Sequence, residues 1–345
     1  MKLAKRAVCL AAAVALLSQS VFALSGEAGN DAAADREWDE IIEEFLTEYD
    51  IPEKSIVLGY KNTVTGEEHY YNGDTYFAAA SLFKVPLNMV YTDRISRGEM
   101  TMDDEIGGVP YRYSLESSIV ESSNTAAYLL WDNLGNFREY RRTIAPYMGV
   151  DPEKADPEFL QDNYFTARQV IYCLNLLQTE QERFSGVLDA MLRAKPDEYF
   201  KAHEQSAAVA HKYGYLWMDR RYINDCAVVY TDDPIVIVMS TASLPEAEER
   251  LADYCTLMID YAQRRTQQRL EEEKAAAEAT PEPTATPVPA ETPAPSGTPV
   301  PAPATAAVPE KAEDGALPWA VLAGVAALAA VCAAVYFASR RRTRK

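Results

Sequence analysis

The chain has 345 residues and a formal net charge of -19, from 33 lysines and arginines against 52 aspartates and glutamates. Eight of the cations lie in two terminal segments without acidic residues, 1–23 and 316–345, so the remainder carries 25 cations against 52 acids, or -27. Such an acidic surface repels phosphate backbones, and no basic stripe with interleaved aromatic residues occurs. Nucleic-acid binding is therefore not expected.

The N-terminus predicts a secretory signal peptide. A basic start, Met1–Arg6, is followed by an apolar run, Ala7–Leu17, and by small residues up to position 23. This order of segments is typical of a leader that is removed on export. We therefore expect residues 1–23 to be cleaved and one folded region to extend over residues 33–279.

The folded region opens with a predicted helix and a predicted hairpin. A helical pattern of apolar residues begins at 35–38, and two strand-like runs, 55–60 and 68–71, flank the turn signal Thr65-Gly66.

The first motif that can carry chemistry is Ser81-Leu82-Phe83-Lys84. A spacing of three residues puts the hydroxyl and the amine on one face of a helix, with Cβ atoms about 5 to 6 Å apart. A serine is a weak nucleophile unless a base accepts its proton, and a lysine is a base only where burial or nearby cations lower its pKa. The segment Thr75–Lys84 predicts an extended stretch that becomes helical at Ser81, so that unpaired N–H groups face a developing oxyanion. Alone, the motif also fits a solvated helix face.

Two further motifs follow in the chain. Ser122-Ser123-Asn124 supplies a hydroxyl that can relay a proton to a leaving nitrogen and an amide that can hold a substrate amide. His211-Lys212-Tyr213-Gly214, at the end of a strand-like run, supplies a cation and a glycine that let the backbone of a bound chain approach. Alone, the first is also a polar turn and the second an edge-strand lysine.

The coarse secondary structure predicts the fold class. Residues 81–193 are mostly helical, whereas 207–211, 225–230 and 235–240 are strand-like and precede a long helix with an apolar face over 251–259. We predict an α/β (α+β) domain with an antiparallel sheet built from both ends of the folded region, flanking helices and an inserted all-helical lobe. A cleft is expected where the two parts meet.

Three cysteines fall in the folded region, Cys173, Cys226 and Cys255, an odd number for a disulfide framework. Buried free thiols are expected, although one pair could bridge outside the cell. The sequence has no C-x-x-C or H-x-x-x-H pair, so no metal site and no other cofactor is predicted.

The C-terminal part predicts a membrane anchor. Residues 280–315 are rich in proline, threonine and alanine, typical of an extended stalk, and 316–339 are almost wholly apolar, about the length that spans a bilayer. The basic tail 340–345 is expected to stay cytoplasmic. The predicted location is the cell membrane, with a single pass and the folded domain outside.

The three motifs occur once each in the exported chain and in the order S-x-x-K, S-x-N, K-x-G. Over about residues 36–260, the chain resembles the class A β-lactamases and penicillin-binding proteins. The resemblance rests on the order of these motifs and on the strand-like segments 55–61 and 224–229. The resemblance implies acyl-serine chemistry on a β-lactam or on the D-Ala-D-Ala end of a peptidoglycan stem peptide.

The resemblance also implies roles for individual residues. Ser81 would be the nucleophile, Lys84 the base, Ser122 a proton shuttle, Asn124 the holder of a substrate amide and Lys212 an electrostatic partner. Gly214 would let the substrate approach, and the backbone N–H groups of Ser81 and Tyr215 would form the oxyanion hole. Arg220 or Arg221 is a candidate cation for the substrate carboxylate, against the alternative of a solvated loop.

The chain departs from the family pattern in several places. Ser123 replaces an aspartate and Tyr213 replaces a threonine or serine, which puts the substrate preference in doubt. Ser122 comes only 41 positions after Ser81, so the helical lobe is expected to be trimmed. Glu158 is the candidate base for deacylation, although the loop that carries it is short and an ordinary surface glutamate fits as well.

The predicted function is a class A β-lactamase-like serine hydrolase that forms an acyl-serine, and three alternatives stay open. With a deacylation base, the protein is a class A β-lactamase-like serine hydrolase. Without one, it is a DD-peptidase or transpeptidase of the penicillin-binding type, or a sensor in which a lasting acyl-enzyme is the signal. A structural wall-anchoring protein is a further alternative, and it predicts no reaction with penicillin.

Overall fold

The computed structural model describes residues 37–279 of the chain. The strands within them are β1 (Ile56–Asn62), β2 (Glu68–Tyr71), β3 (Phe77–Ala78), β4 (Glu105–Ile106), β5 (Val109–Pro110), β6 (Tyr164–Phe165), β7 (Ala208–Trp217), β8 (Arg221–Tyr230) and β9 (Ile235–Ala242). The α-helices are α1 (Trp38–Glu48), α2 (Lys84–Ser96), α3 (Tyr111–Ile119), α4 (Asn124–Asn133), α5 (Phe137–Ile144), α6 (Pro157–Gln161), α7 (Ala167–Thr179), α8 (Gln181–Leu192) and α9 (Ala247–Ala279). Short 3-10 helices lie at Glu53–Ser55, Ala80–Phe83, Ala145–Met148 and Tyr199–Lys201.

The main sheet has the strand order β2-β1-β9-β8-β7, and all neighbouring strands are antiparallel. β1 pairs with β9 from Ile56 opposite Thr241 to Asn62 opposite Ile235. The N-terminal hairpin is thereby joined to the three C-terminal strands, which confirms the predicted sheet built from both ends of the folded region. β7 is one edge of this sheet.

The sheet separates two hydrophobic cores, because successive residues of a strand point to opposite faces. On β8, Cys226 and Val228 pack with the helices of the inserted lobe, whereas Ala227 and Val229 pack with α1 and α9. The predicted apolar face of α9 is confirmed, since its predicted members are all buried in the core that α9 shares with the sheet: Leu251, Cys255, Met258 and Ile259.

The inserted lobe is not entirely helical, contrary to the prediction. β3 pairs with β6 and β4 pairs with β5, each as a two-stranded ribbon. Strands of two residues are too short for an alternating pattern to reveal them. The β3–β6 ribbon matters for the site, because it brings the chain at 163–165 alongside the chain at 77–80.

Strand β7 is longer than predicted. It continues from the expected end near His211 to Trp217 and pairs with β8 until Trp217 lies opposite Arg221. The motif His211–Gly214 therefore lies in the middle of an edge strand and not at its end.

Cys173, Cys226 and Cys255 are buried and unpaired, as expected for free thiols. Among residues 37–279, no helix combines the length and the apolar character needed to cross a membrane. The predicted signal peptide (1–23), stalk (280–315), membrane span (316–339) and basic tail (340–345) lie outside the described residues.

Candidate active site

Ser81 lies in the 3-10 helix Ala80–Phe83, directly before α2, so the α-helix begins three residues later than predicted. Ala80 has a φ of 50°, a backbone conformation that non-glycine residues rarely adopt. Lys84 Nζ nevertheless lies 2.9 Å from Ser81 Oγ. Side chains at i and i+3 eclipse one another in a 3-10 helix, which explains why the two groups still meet.

Ser122 comes to the same place from the turn between α3 and α4. Lys84 Nζ lies 2.7 Å from the carbonyl oxygen of Ser122 and 3.3 Å from its Oγ. Ser122 has a φ of 53°, again a left-handed backbone conformation. The next residue, Ser123, is the N-cap of α4 and accepts a hydrogen bond from the Ala126 N–H, a role that serine and aspartate fill equally well.

Asn124, the first residue of α4, completes the surroundings of Lys84. Its Oδ1 accepts a hydrogen bond from Lys84 Nζ at 2.8 Å, while the residue as a whole is exposed. The oxygens around the Lys84 amine are thus those of Ser81, Ser122 and Asn124, all of them neutral groups.

Lys212 approaches Ser122 from β7. Its Nζ donates to Ser122 Oγ at 2.9 Å and to the Tyr213 carbonyl at 2.8 Å. The Tyr213 ring lies 4.0 Å from this amine and stacks on Tyr199 at a centroid distance of 4.7 Å. An aromatic pair therefore occupies the place beside Lys212 where the resemblance implied a hydroxyl.

Both lysine amines are fully buried. Burial disfavours the charged form and lowers the pKa of Lys84 to about 8. The pKa of Lys212 is lowered to about 7, first by burial and then by the positive charge of Lys84. A neutral amine beside Ser81 is therefore accessible near neutral pH.

Gly214 makes the close approach of β7 to Ser81 possible. A Cβ at this position would lie 3.0 Å from the Ala79 carbonyl oxygen and 3.1 Å from the Ser81 backbone nitrogen. Tyr215 follows on the same exposed edge of β7, with a half-exposed side chain. The backbone of β7 at Gly214 and Tyr215 thus borders the Ser81 turn.

Within residues 37–279, neither of the two predicted arginines makes a hydrogen bond to the side chains of this network. Arg221 begins β8 and donates to the Leu244 carbonyl at 3.1 Å, with Glu248 3.5 Å away on α9. Arg220 is exposed in the β7–β8 turn, paired with Asp219 at 3.3 Å. Arg221 lies opposite Trp217, and this register puts it on the face of the sheet that packs against α9.

Glu158 is exposed at the start of α6. The neighbouring carboxylate, Asp156, caps this helix and accepts a hydrogen bond from the Tyr76 hydroxyl at 2.5 Å. A few residues further along the chain, Asn163 Nδ2 donates to the Ala80 carbonyl at 2.8 Å.

Sequence analysis missed three polar groups near the site. Asn163 and Asn224 bind the carbonyls of Ala80 and Ala78, each at 2.8 Å. Asp225 is fully buried and accepts hydrogen bonds from His211 Nδ1 at 2.7 Å and from the Phe200 N–H at 3.1 Å. These contacts join residues from 14 to 146 positions apart, so local spacing carries no signal for them.

The arrangement can move a proton away from a serine and return one to a leaving group. A neutral Lys84 amine is within hydrogen-bond distance of the Ser81 hydroxyl, and Ser122 Oγ lies between two amines. Within residues 37–279, no cluster of His, Cys, Asp and Glu is arranged to hold a metal ion.

Solved structures with a similar fold include several β-lactamases. A β-lactamase from Chitinophaga pinensis is 18% identical, with a TM-score of 0.53 over 65% of this chain and 98% of that one. The ancestral class A β-lactamase of Gram-negative bacteria is 19% identical, with a TM-score of 0.54 over 64% of this chain and 98% of that one. The TLA-3 extended-spectrum β-lactamase is 12% identical, with a TM-score of 0.55 over 66% and 99%.

At these identities the likeness shows the fold alone. The sequence itself matches the β-lactamase enzyme family over residues 37–253, most of the described domain. The chain therefore belongs to the β-lactamase enzyme family. No curated protein gives a significant sequence match to it.

Proposed function

We propose that this protein is a serine acyl-transfer enzyme that opens a β-lactam or a D-Ala-D-Ala amide through an acyl-enzyme on Ser81. The observation that carries the proposal is the Lys84 amine, which is buried among neutral oxygens and lies 2.9 Å from Ser81 Oγ. Membership in the β-lactamase enzyme family makes a hydrolase the expected class.

Acylation begins with proton transfer from Ser81 Oγ to the neutral Lys84 amine, while the oxygen attacks the carbonyl carbon of the substrate. The oxyanion that forms accepts hydrogen bonds from the backbone N–H groups of Ser81 and Tyr215. The carbon–nitrogen bond then breaks, and the leaving nitrogen takes the proton of the Ser122 hydroxyl. Ser122 is reprotonated by the adjacent ammonium of Lys84 or Lys212, each within 3.3 Å of its Oγ.

A second candidate function, slow turnover of the penicillin-binding type, is favoured by the position of Glu158. Deacylation by water needs a base that faces the acyl-enzyme. Glu158 is exposed and makes no hydrogen bond to the Ser81 turn within residues 37–279, whereas the amide of Asn163, which is not a base, does. A long-lived acyl-enzyme would serve a DD-peptidase, a transpeptidase or a sensor equally well.

Intact-mass measurement during exposure to penicillin tests the proposal. We expect the mass of one ring-opened drug to be added to the wild-type protein and none to be added to Ser81→Ala. If the adduct persists for hours, the penicillin-binding type is supported, whereas return to the native mass with consumption of the drug supports a β-lactamase. Release of D-Ala from a peptide separates a peptidase from a sensor. No adduct on the wild type would refute acyl-transfer activity.

The sequence supports an extracytoplasmic site for this chemistry. The predicted leader at 1–23 and the apolar segment 316–339 with its basic flank fit a single-pass protein whose domain lies outside the cytoplasm. Protease added to intact cells should then degrade the domain and leave a cytoplasmic marker protein intact. Protection of the domain under these conditions would contradict the location.

A further inference from the structure

Asn163 binds the peptide unit that immediately precedes Ser81. Its Nδ2 donates to the carbonyl oxygen of Ala80 at 2.8 Å, and its own backbone carbonyl accepts from the Ala79 N–H at 2.9 Å. The Oδ1 atom of Asn163 is buried and has no hydrogen-bond partner in the described part of the chain. Of the two polar groups of the Asn163 side chain, the NH2 group is therefore the one that makes a hydrogen bond in the fold.

The carbonyl that Asn163 binds and the N–H of Ser81 belong to one planar peptide group. The two bonds lie in one rigid plane and point in opposite directions. A contact that fixes the carbonyl therefore also fixes the direction of the N–H. A hydrogen bond to the carbonyl polarises the group as well and strengthens its N–H as a donor. In the proposed function, this N–H is one of the two donors to the oxyanion.

This peptide group needs to be held in place. Ala80 has a φ of 50°, and such a conformation is unfavourable for a residue with a side chain and persists only where the surroundings enforce it. On the side of β7, Gly214 packs against the turn, with a Cβ position 3.1 Å from the Ser81 nitrogen. On the side of β6, Asn163 supplies the hydrogen bond to the carbonyl.

The segment that carries Asn163 is itself fixed. The fully buried guanidinium of Arg141 donates to the Phe159 carbonyl at 2.6 Å and to the Tyr164 carbonyl at 2.8 Å. Its centre also lies 4.0 Å from the Phe159 ring and 4.6 Å from the Phe165 ring. The amide of Asn163 is thus presented to the Ser81 turn from a rigid support.

We propose that Asn163 is a positioning residue for the oxyanion hole, which it orients through the Ala80 carbonyl. This inference rests on the proposed function and adds to it a group that acts in the acylation step. Because Asn163 acts on the developing oxyanion and not on the bound ground state, its loss affects the acylation rate and leaves substrate affinity nearly unchanged.

The test is Asn163→Asp, which keeps the shape of the side chain but replaces the donor with a second acceptor facing the Ala80 carbonyl. Stopped-flow labelling with a fluorescent penicillin gives the dissociation constant of the first complex and the acylation rate constant separately. Removal of an oxyanion donor costs about a hundred- to a thousandfold in rate, so misorientation of one should cost about ten- to a hundredfold. The dissociation constant should change by less than about twofold, because ground-state binding is not involved.

The matched control is Gln161→Glu, the same exchange of amide for carboxylate at an exposed position two residues earlier. It should label at the wild-type rate. Asn163→Ala removes the donor without adding an acceptor and should slow acylation in the same direction. A boronic acid that forms a tetrahedral adduct with the serine should bind both Asn163 variants more weakly, as expected for a group that acts on the oxyanion.

The outcomes separate this inference from the function on which it rests. If the wild type is not labelled at all, the proposed function fails and the inference fails with it. If the wild type is labelled and folded Asn163→Asp acylates within about twofold of it, the inference alone is overturned. Loss of folded protein in both variants, or a weaker first complex with an unchanged acylation rate, would also overturn it, because Asn163 would then be a structural or substrate-binding residue.

Discussion

The hydrogen-bonded network around Ser81, called the floor of the site, and the segment 151–163, called its border, differ sharply in how they are built. On the floor, Ser81, Lys84, Ser122 and Lys212 form a continuous network of hydrogen bonds of 2.7 to 3.3 Å, with both amines buried. The bordering segment, residues 151–163, presents the amide of Asn163 to the Ser81 turn and leaves its glutamate at position 158 exposed.

This difference separates the two halves of an acyl-transfer cycle. The floor contains the groups that are proposed to form an acyl-serine, whereas no carboxylate of the border makes a hydrogen bond to the Ser81 turn among the described residues. Formation of the acyl-enzyme is therefore expected to be sensitive to small changes on the floor. Its breakdown is expected to be insensitive to the acidic residues of the border.

The largest effect is expected from Lys84→Met. Loss of a general base typically costs about 10² to 10⁴ in rate, so labelling by a fluorescent penicillin should slow by that factor. Lys154→Met, the same exchange at a lysine whose side chain is 83% exposed, should label at the wild-type rate. If Lys84→Met were labelled at the wild-type rate, Lys84 would not be the base and the proposed mechanism would be wrong.

The pH dependence of acylation gives the next largest effect. Only the neutral amine accepts a proton, so the rate should rise about tenfold for each pH unit below the Lys84 pKa and level off near pH 8. Lys212→Met should leave the midpoint of this profile in place, because burial lowers the Lys84 pKa and Lys212, with a pKa of about 7, is already mostly neutral where Lys84 titrates. A flat wild-type profile between pH 6 and pH 8 would contradict a lysine base.

A smaller effect is expected from Gly214→Ala, which tests the contact between β7 and the Ser81 turn. The added Cβ would lie 3.0 Å from the Ala79 carbonyl and 3.1 Å from the Ser81 nitrogen, so one of the two backbones has to shift. We expect acylation to slow by about tenfold, because the oxyanion donors move. Gly186→Ala on α8 is the matched control, since its nearest neighbour lies 3.4 Å from the added Cβ, and equal rates in both variants would show that the contact is not critical.

The smallest effect is expected from Glu158→Gln. If the border lacks a base, the lifetime of the acyl-enzyme should change by less than about twofold, as followed by the decay of the adduct mass. Glu153→Gln, at another exposed glutamate of the segment, provides the comparison. If the acyl-enzyme of Glu158→Gln, but not that of Glu153→Gln, lived at least tenfold longer than the wild-type acyl-enzyme, this glutamate would be the deacylation base. The protein would then be a β-lactamase.

Much of the fold could be predicted from the sequence. The hairpin at 55–71, the three C-terminal strands and the apolar face of α9 all have strong local patterns, and each was found close to its predicted place. The two ribbons of the lobe and the continuation of β7 to Trp217 were missed. Two-residue strands have no period, and the end of an edge strand depends on the partner with which it pairs.

The candidate site could likewise be predicted only in part from the sequence. The sequence by itself determined the three motifs and their order, because the spacing within each motif fixes which side chains share a turn or a strand. Only the tertiary structure decided that Arg221 faces α9, that Glu158 faces solvent and that Asn163 reaches the Ala80 carbonyl 83 residues away in the chain. Strand register and the path of a loop are set by contacts between distant residues, and no local pattern in the chain encodes them.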